Sequence, residues 1–370
     1  MKKKILFVFL CVLALALICG LVLRRSAMKQ AAEFDEKTWA ELNESIDPQT
    51  LYLPNLEDGR FFAPWNRYKE KRFRDVMGWR LSPKEKFTEE EESFLPQVLP
   101  NPVERIKAQQ GDFIMWIGHN TFLIRIDDVY WITDPMFSKR ALLPARQTPP
   151  GISLDELKSI APKVRVIISH NHYDHLDSAS VKALPEDALV YVPLGLKETV
   201  EGMNKSNVHE MDWWDETAAP GGFRLVCLPA QHWSIRAGMG RNASLWASFM
   251  LIKGDTVVYL GGDSGYFPGY KEYGKVFPDI DYALIPTTAY HPRWFMHYQH
   301  MNVTEALQAF DELNARYFIP TQWGTFRLSD EPPGFPALDL KRQITQQGRD
   351  ASRFIIPDIG RIIPIQTGDK

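Results

Sequence analysis

The sequence predicts an α/β (α+β) fold in which two β-sheets pack together and helices lie outside them. Three features predict it. From Asp112 onward, short stretches rich in Val, Ile, Leu, Tyr and Phe recur between turn residues, which is the composition of buried strands. The earlier stretches follow one another in a run, whereas later ones alternate with helical stretches. Several of them end abruptly in His or Asp, as strands do where they hand over to functional loops.

Taken in order, the chain opens on an apolar run from Ile5 to Leu23, set between Lys2-Lys3-Lys4 and Arg24-Arg25. That run is longer than the apolar core of a secretory signal, about 7–15 residues, and no small-x-small cleavage site precedes the arginines. Ile18 is too bulky for a lipidation signal at Cys19. Residues 1–29 are therefore read as an uncleaved membrane anchor in preference to a cleaved signal. The three lysines and the amino terminus outweigh the two arginines, so the positive-inside rule puts the catalytic part outside the cytoplasm. Residues 30–105 read as a proline-punctuated extension that packs on the main domain through Arg60 to Trp65, with helical patches at Glu33–Ile46 and Tyr68–Trp79. Glu89 to Glu92 reads as a solvated helix face. Residues 106–370 form the main domain.

Within that domain, strands are expected at Phe113–Ile117, Thr121–Ile126, Val129–Thr133, Val164–Ser169, Ala188–Val192, Phe223–Leu228, Leu245–Ile252, Thr256–Leu260, Tyr282–Pro286 and Tyr317–Pro320. Helices are expected at Ser178–Leu184, Gly195–Met203, Val303–Ala315 and Leu338–Gln347, the third capped by Asn302 with Glu305 three residues on.

The chain has 370 residues and a net charge of -3, which gives no basic footprint for nucleic acid. Cys11 and Cys19 lie in the apolar run, leaving Cys227 alone. A disulfide within the main domain and a cysteine-rich zinc site are both excluded, so any metal must be held by His and carboxylates.

Such a cluster follows the strand Val164 to Ser169. It reads His170-Asn171-His172-Tyr173-Asp174-His175 and holds three of the chain's nine histidines. His170 and His172, two apart on an extended backbone, face the same way and can share one ion. Asp174 and His175 are displaced along the loop and can reach a second. Imidazole with carboxylate suits zinc and related ions. Two later strands end in the same residue types: Leu225–Leu228 leads to His232, and Val257–Leu260 leads through Gly261-Gly262 to Asp263.

His-x-His-x-Asp-His with a later strand-end His and a Gly-Asp resembles the metallo-β-lactamase fold hydrolases. The likeness is closer to one branch, the N-acyl-phosphatidylethanolamine-hydrolysing phospholipases D and their bacterial relatives. It runs in order through Trp116-Ile117-Gly118-His119, Thr133-Asp134-Pro135, Ser169 to Asp177, Gln231-His232-Trp233, Gly262 to Tyr266, Pro292 to Met296 and Trp323-Gly324-Thr325-Phe326. The resemblance implies a four-layer αββα sandwich with two metals at the mouth between the sheets. It implies one ion on His170, His172 and His232, another on Asp174 and His175, and Asp263 bridging them. The branch has one more His just before Trp-Gly-Thr-Phe, where this chain has Gln322, a weaker metal or substrate contact. One or two zinc ions are therefore expected, the second less firmly held.

The chemistry expected is hydrolysis of a phosphodiester, a lipid or another membrane-derived one, by water acidified on zinc. Asp174 and His300 are the catalytic candidates. His119 and Asp134 are expected to orient the ligands. Arg293, Trp294, Phe295 and Tyr298 are expected at the substrate mouth, the Arg to meet phosphate and the aromatics to meet an acyl chain. The same core would serve a lactonase or esterase, and a degraded site would leave a membrane-attached binding protein. The oligomeric state stays open, a dimer included.

Overall fold

The computed structural model describes residues 2–366. Met1 and residues 367–370, at the outer ends of the expected anchor and main domain, lie outside the described residues. Five helices come first: α1 (Lys2–Glu33), α2 (Glu36–Glu44), α3 (Phe73–Leu81), α4 (Glu89–Ser93) and α5 (Pro102–Ala108). The portion of α1 from Lys4 is long and apolar enough to cross a membrane. Its last turns pack on α3, where a Cβ on Gly78 would come within 3.0 Å of Ala27 Cβ and 3.1 Å of the Leu23 carbonyl. A side chain there would press the two helices apart by a few tenths of an ångström.

The first sheet has seven strands: β1 (Phe113–Gly118), β2 (Thr121–Ile126), β3 (Val129–Thr133), β4 (Arg165–Ile167), β5 (Leu189–Pro193), β6 (Asn207–Met211) and, from the chain's end, Ile362–Pro364. The second has six: β7 (Glu216–Ala219), β8 (Phe223–Leu228), β9 (Ser248–Lys253), β10 (Thr256–Leu260), β11 (Tyr282–Pro286) and β12 (Tyr317–Thr321). Ile362–Pro364, numbered β13, lies at one edge, so the first sheet runs β13-β1-β2-β3-β4-β5-β6 and the second β12-β11-β10-β9-β8-β7. In each sheet the strands leading to the outer helices pair in parallel and the others antiparallel.

Strand β1 shows why its sequence is apolar throughout. Ile114 and Trp116 enter the core between the sheets, while Phe113, Met115 and Ile117 enter a second core beneath the helices outside the first sheet. A strand buried on both faces needs no polar positions. Those outer helices are α6 (Leu154–Ile160), α7 (Ser178–Ala183) and α8 (Lys197–Glu201). The second sheet is covered by α9 (Gly269–Val276), α10 (Arg293–Met296), α11 (Val303–Leu313) and α12 (Phe335–Gln346), with Tyr270, Leu307, Phe310 and Leu340 buried beneath them. This is the four-layer αββα arrangement expected from the sequence.

Differences from the expected elements have local causes. The helix expected over Glu33–Ile46 breaks at Asp35, whose carboxylate caps α2 by accepting from the Thr38 amide at 2.8 Å. The helix expected from Tyr68 starts at Phe73, because Asp75 accepts the Arg72 amide at 2.8 Å and fixes the first turn there. The strand expected from Leu245 starts at Ser248, since the Leu245 and Ala247 amides donate instead to Leu194 and Ser169 carbonyls. Strands β6, β7 and β13 are absent from the sequence reading; all three are sheet edges, which are short and half-polar. Glu91 is not a solvated face residue: it caps α4 with Thr88 and pairs with Arg342 at 2.5 Å.

Residues of the extension enter the central core. Trp65 lies against Phe267, with ring centroids 5.0 Å apart, and its indole donates to Gln231 at 3.0 Å.

Asn302 caps α11 reciprocally with Glu305: the Glu305 amide donates to Asn302 Oδ1 at 2.8 Å, and the Asn302 amide donates to Glu305 Oε2 at 2.9 Å. Asn302→Ala leaves an α11 amide without its cap, and urea unfolding should show a loss of about 1 kcal/mol.

Candidate metal centre

Six strands, three from each sheet, deliver side chains to one end of the sandwich. His119 follows β1, Asp134 follows β3 and the His170–His175 loop follows β4. His232 lies just after β8, Asp263 after β10 and Gln322 directly after β12. Three of these residues hold left-handed backbone: His119 at φ 52°, Asp134 at φ 34° and Gln322 at φ 72°. Such conformations cost of order 1–3 kcal/mol each and persist where the surroundings impose them. Gly262 serves the approach to Asp263. At φ 59°, a Cβ there would fall 2.9 Å from both the Ala247 carbonyl and Ser169 Cβ. Its freedom accommodates the neighbouring loop.

The donor atoms form two groups, each with all its atoms within 4.8 Å of one another. His170, His172, His232 and Asp263 make the first; His119, Asp174 and His175 make the second. His170 Nε2 lies 2.8 Å and His232 Nε2 3.2 Å from His172 Nδ1. Asp263 stands between the groups. Its Oδ2 is 3.4 Å from His232 Nε2 and its Oδ1 is 3.1 Å from His175 Nε2. Asp174 Oδ2 lies 3.0 Å from His119 Nε2 and 3.4 Å from His175 Nε2.

The outward nitrogens are held. His175 Nδ1 meets Asp134 at 2.7 Å, His170 Nδ1 meets Ser169 Oγ at 3.0 Å, and His232 Nδ1 meets the Gln299 carbonyl at 3.1 Å. Asp134 also accepts from the Ser169 amide and from Asn120. Each contact leaves Nε2 aimed inward.

Burial holds His170 and His232 well below the ordinary histidine range and lowers His172 to about 4, which keeps these rings neutral. His175 is shifted upward: burial opposes its charge, but Asp263, Asp174 and Asp134 outweigh that. Burial would raise Asp174 and Asp263, yet His175 above all holds both well below the carboxylate range. Neutral imidazoles and ionised carboxylates are the forms that ligate metals, so a cation bound there would displace the proton that His175 carries. His172 Nε2 and His175 Nε2 are buried without hydrogen-bond partners. This donor set fits a divalent ion, and its two groups could hold two.

Other expected site residues are distributed unevenly. His119, expected to orient the ligands, brings its Nε2 to 3.0 Å from Asp174 within the second donor group. Gln322 Nε2 donates to Asp263 and, at 2.9 Å, to the Gly262 carbonyl, while Oε1 is buried without a partner. His300 lines the pocket above the donors, with Nδ1 buried and unpartnered. Phe295 lines the same pocket. Arg293, Trp294 and Tyr298 do not. The Arg293 guanidinium is held by Glu36 and Glu305, each at 2.7 Å; Trp294 packs with Ala27 and Trp79; Tyr298 stacks on Tyr68 and donates to the Asn66 carbonyl. Leu142, Leu143 and Trp233 line the pocket and were not foreseen, because isolated apolar residues in loops carry no periodic signal; Met296 of α10 lines it beside Phe295. The Gln299 carbonyl is a backbone group, invisible to residue-type reasoning.

Residues 130–323 match the model of the beta-lactamase superfamily domain. The chain is 31% identical over 285 residues to N-acyl-phosphatidylethanolamine-hydrolyzing phospholipase D 1 of Caenorhabditis elegans, an alignment covering 70% of this chain and 79% of that protein. It is 32% identical over 280 residues to the mitochondrial N-acyl-phosphatidylethanolamine-hydrolyzing phospholipase D of Saccharomyces cerevisiae, covering 71% of this chain and 58% of the yeast protein. Among solved structures, its fold is similar to isothiocyanate hydrolase from Delia radicum gut bacteria, with TM-score 0.56 at 16% identity over 68% of this chain and 99% of that one. With a family match across both sheets and a donor set at their shared end, the chain belongs to the metallo-β-lactamase superfamily and is a metal-dependent hydrolase.

Proposed function

We propose that this chain is a zinc-dependent phosphodiesterase of phospholipase D type, acting on a lipid or another membrane-derived phosphodiester. The observation that carries this reading is the composition of the pocket over the donor atoms. It encloses about 390 Å³, and His172, Asp174, His232, Asp263 and His300 line it together with an apolar wall of Leu142, Leu143, Trp233, Phe295 and Met296. A charged group at the floor and a greasy chain along the wall describe a phospholipid. The names of the nematode and yeast relatives support the same substrate class.

In this reading His170, His172, His232 and Asp263 would hold one zinc ion, and Asp174 and His175, joined by His119, would hold a second. A divalent ion there supplies Lewis acidity, bringing the pKa of water to roughly 7 and polarising a phosphoryl oxygen. Asp134 fixes the ring of His175. Hydrolysis adds the oxygen of water to phosphorus and breaks one phosphorus–oxygen ester bond. Asp174, ionised and at the pocket floor, takes the proton from the attacking water. His300, with a free ring nitrogen facing the pocket, hydrogen-bonds the phosphoryl group or the departing alcohol oxygen. Helix α1 anchors the chain, and the basic flank before it favours a catalytic part outside the cytoplasm.

Assay of the full chain in detergent against glycerophosphodiesters and lactones tests the substrate class. Turnover of long-chain phosphodiesters in excess of lactones is expected; lactone turnover alone would replace this reading with a lactonase. His172→Ala should lose most bound metal by elemental analysis and more than about 100-fold in turnover, beyond the 10–100-fold that loss of an orienting partner costs. Gln322→His, a residue type tolerant of left-handed backbone, should retain a second ion through dialysis where the parent chain retains one. Two ions in the parent would show that Gln322 does not weaken the second group.

A further inference from the structure

The pocket wall includes a feature that metal chemistry does not require. Between Lys139 and Arg146 the chain folds back on itself, with the Ala141 amide donating to the Pro144 carbonyl at 3.0 Å and the Arg146 amide to the Lys139 carbonyl at 2.9 Å. The Arg140 guanidinium closes the tip on the Leu143 carbonyl at 2.7 Å. Ala141 is buried with Met136 and Phe326, which fixes the hairpin's base. Its tip points outward: Leu142 is 61% and Leu143 78% exposed, and Leu142 holds a left-handed φ of 58°. Scattered surface leucines are ordinary. Two adjacent ones on a braced tip, beside exposed Lys139 and Arg140, are the pattern of a segment that enters a lipid interface.

Helix α3 indicates where that interface lies. Leu81 Cδ1 would be 3.8 Å from a Cβ on Gly20, a residue inside the apolar run of α1. The end of α3 thus sits level with the edge of the anchor's span. Trp79, two residues before Leu81, lines the same pocket as Leu142 and Leu143. Exposed Phe73 and Leu81 lie on α3 among exposed Lys69, Arg72, Arg80 and Lys86. From Arg67 to Lys86 there are eight lysines and arginines against three acids, in a chain of net charge -3. Basic residues beside a membrane span favour anionic lipid.

We infer that the Lys139–Arg146 hairpin is a second membrane contact, placing Leu142 and Leu143 in the surface of the anionic bilayer that α1 spans, so that the metal pocket opens onto lipid. The inference rests on reading α1 as a membrane anchor. It gives the lipid substrate a route into the pocket without crossing water, and it assigns the basic face of α3 to lipid phosphates.

The test uses the full chain carrying Cys11→Ala and Cys19→Ala, with Leu143→Cys labelled by an environment-sensitive fluorophore and reconstituted into phosphatidylglycerol/phosphatidylcholine vesicles. A label at Lys163→Cys, exposed before β4 at the far end of the sheet, is the water-facing control. The expected result is a blue shift with quenching by shallow doxyl lipids and protection from aqueous iodide at position 143, stronger with phosphatidylglycerol than without, and the reverse at 163. Iodide quenching at 143 without lipid quenching overturns the proposal. So does protection from both quenchers with cross-linking between copies, which makes the tip a protein contact. A label at Leu13→Cys reports separately on the anchor. Lipid quenching at 13 with iodide quenching at 143 removes the hairpin contact alone, whereas iodide quenching at both removes the anchor reading as well.

Discussion

Five imidazoles and two carboxylates converge where the two sheets meet, five of the seven side chains buried and His172 and Asp174 reaching the pocket, and the rest of the fold is arranged around that crowding. Ring nitrogens 2.8–3.2 Å apart have lone pairs aimed at one region. Burial alone would expel charge from it. Asp174 and Asp263 stay ionised because His175 answers them, and His175 is held by Asp134 behind it. The left-handed backbones at His119, Asp134 and Gln322 are further expressions of the same demand. Packing beneath the cluster meets that strain, with Trp116 against Trp323 at 5.0 Å between centroids and Trp246 donating to the Ala230 carbonyl. A one-residue slip in any of these strands would turn its side chains to the opposite face.

The sequence revealed those parts of the molecule whose physics is local. Central strands such as β1, β10 and β11 are nearly continuous apolar runs, and the cap at Asn302 is spelled out three residues apart. The His170–His175 cluster, His232 and Asp263 were legible because each follows a recognisable strand. His119 and the edge strands were not legible in the same way. A lone histidine after β1 has no sequence neighbour that marks it as a donor, and it meets Asp174 only through the pairing of β1 to β4 by way of β2 and β3. Arg293 misled for a related reason. Among aromatics it looks like a phosphate contact, but Glu36 lies 257 residues away in the chain and 2.7 Å away in space.

That ion pair gives the polar extension a structural purpose. Glu36 and Trp39, on α2 directly after α1, both reach the cluster around Glu305: Arg293 joins Glu36 to Glu305, and the Trp39 indole donates to Glu305 at 3.0 Å. His297 stacks on Phe34 with centroids 4.5 Å apart. Arg293 also donates to the His300 carbonyl at 3.2 Å. Thus α10, whose Phe295 and Met296 wall the pocket, is pinned from the α2 side by charge and from the core side by α11. Burial raises Glu305, although Arg293 opposes that shift, as expected of a carboxylate kept inside by its partners.

Gln322 makes the two halves of the centre unequal. An imidazole there would offer a lone pair. The carboxamide instead directs its N–H groups at two acceptors, the Asp263 carboxylate and the Gly262 carbonyl, and these contacts fix which end of the amide faces inward. The oxygen it engages is Asp263 Oδ1, the one facing His175, whereas Oδ2 faces His170 and His232. Asp263 Oδ1 thus already accepts from the Gln322 amide, while no amide among the described residues engages Oδ2. His119 links the two halves: one ring nitrogen lies 3.0 Å from Asp174 and the other 3.3 Å from the Gln322 carbonyl. The inequality follows from one neutral amide standing where a ligand could stand.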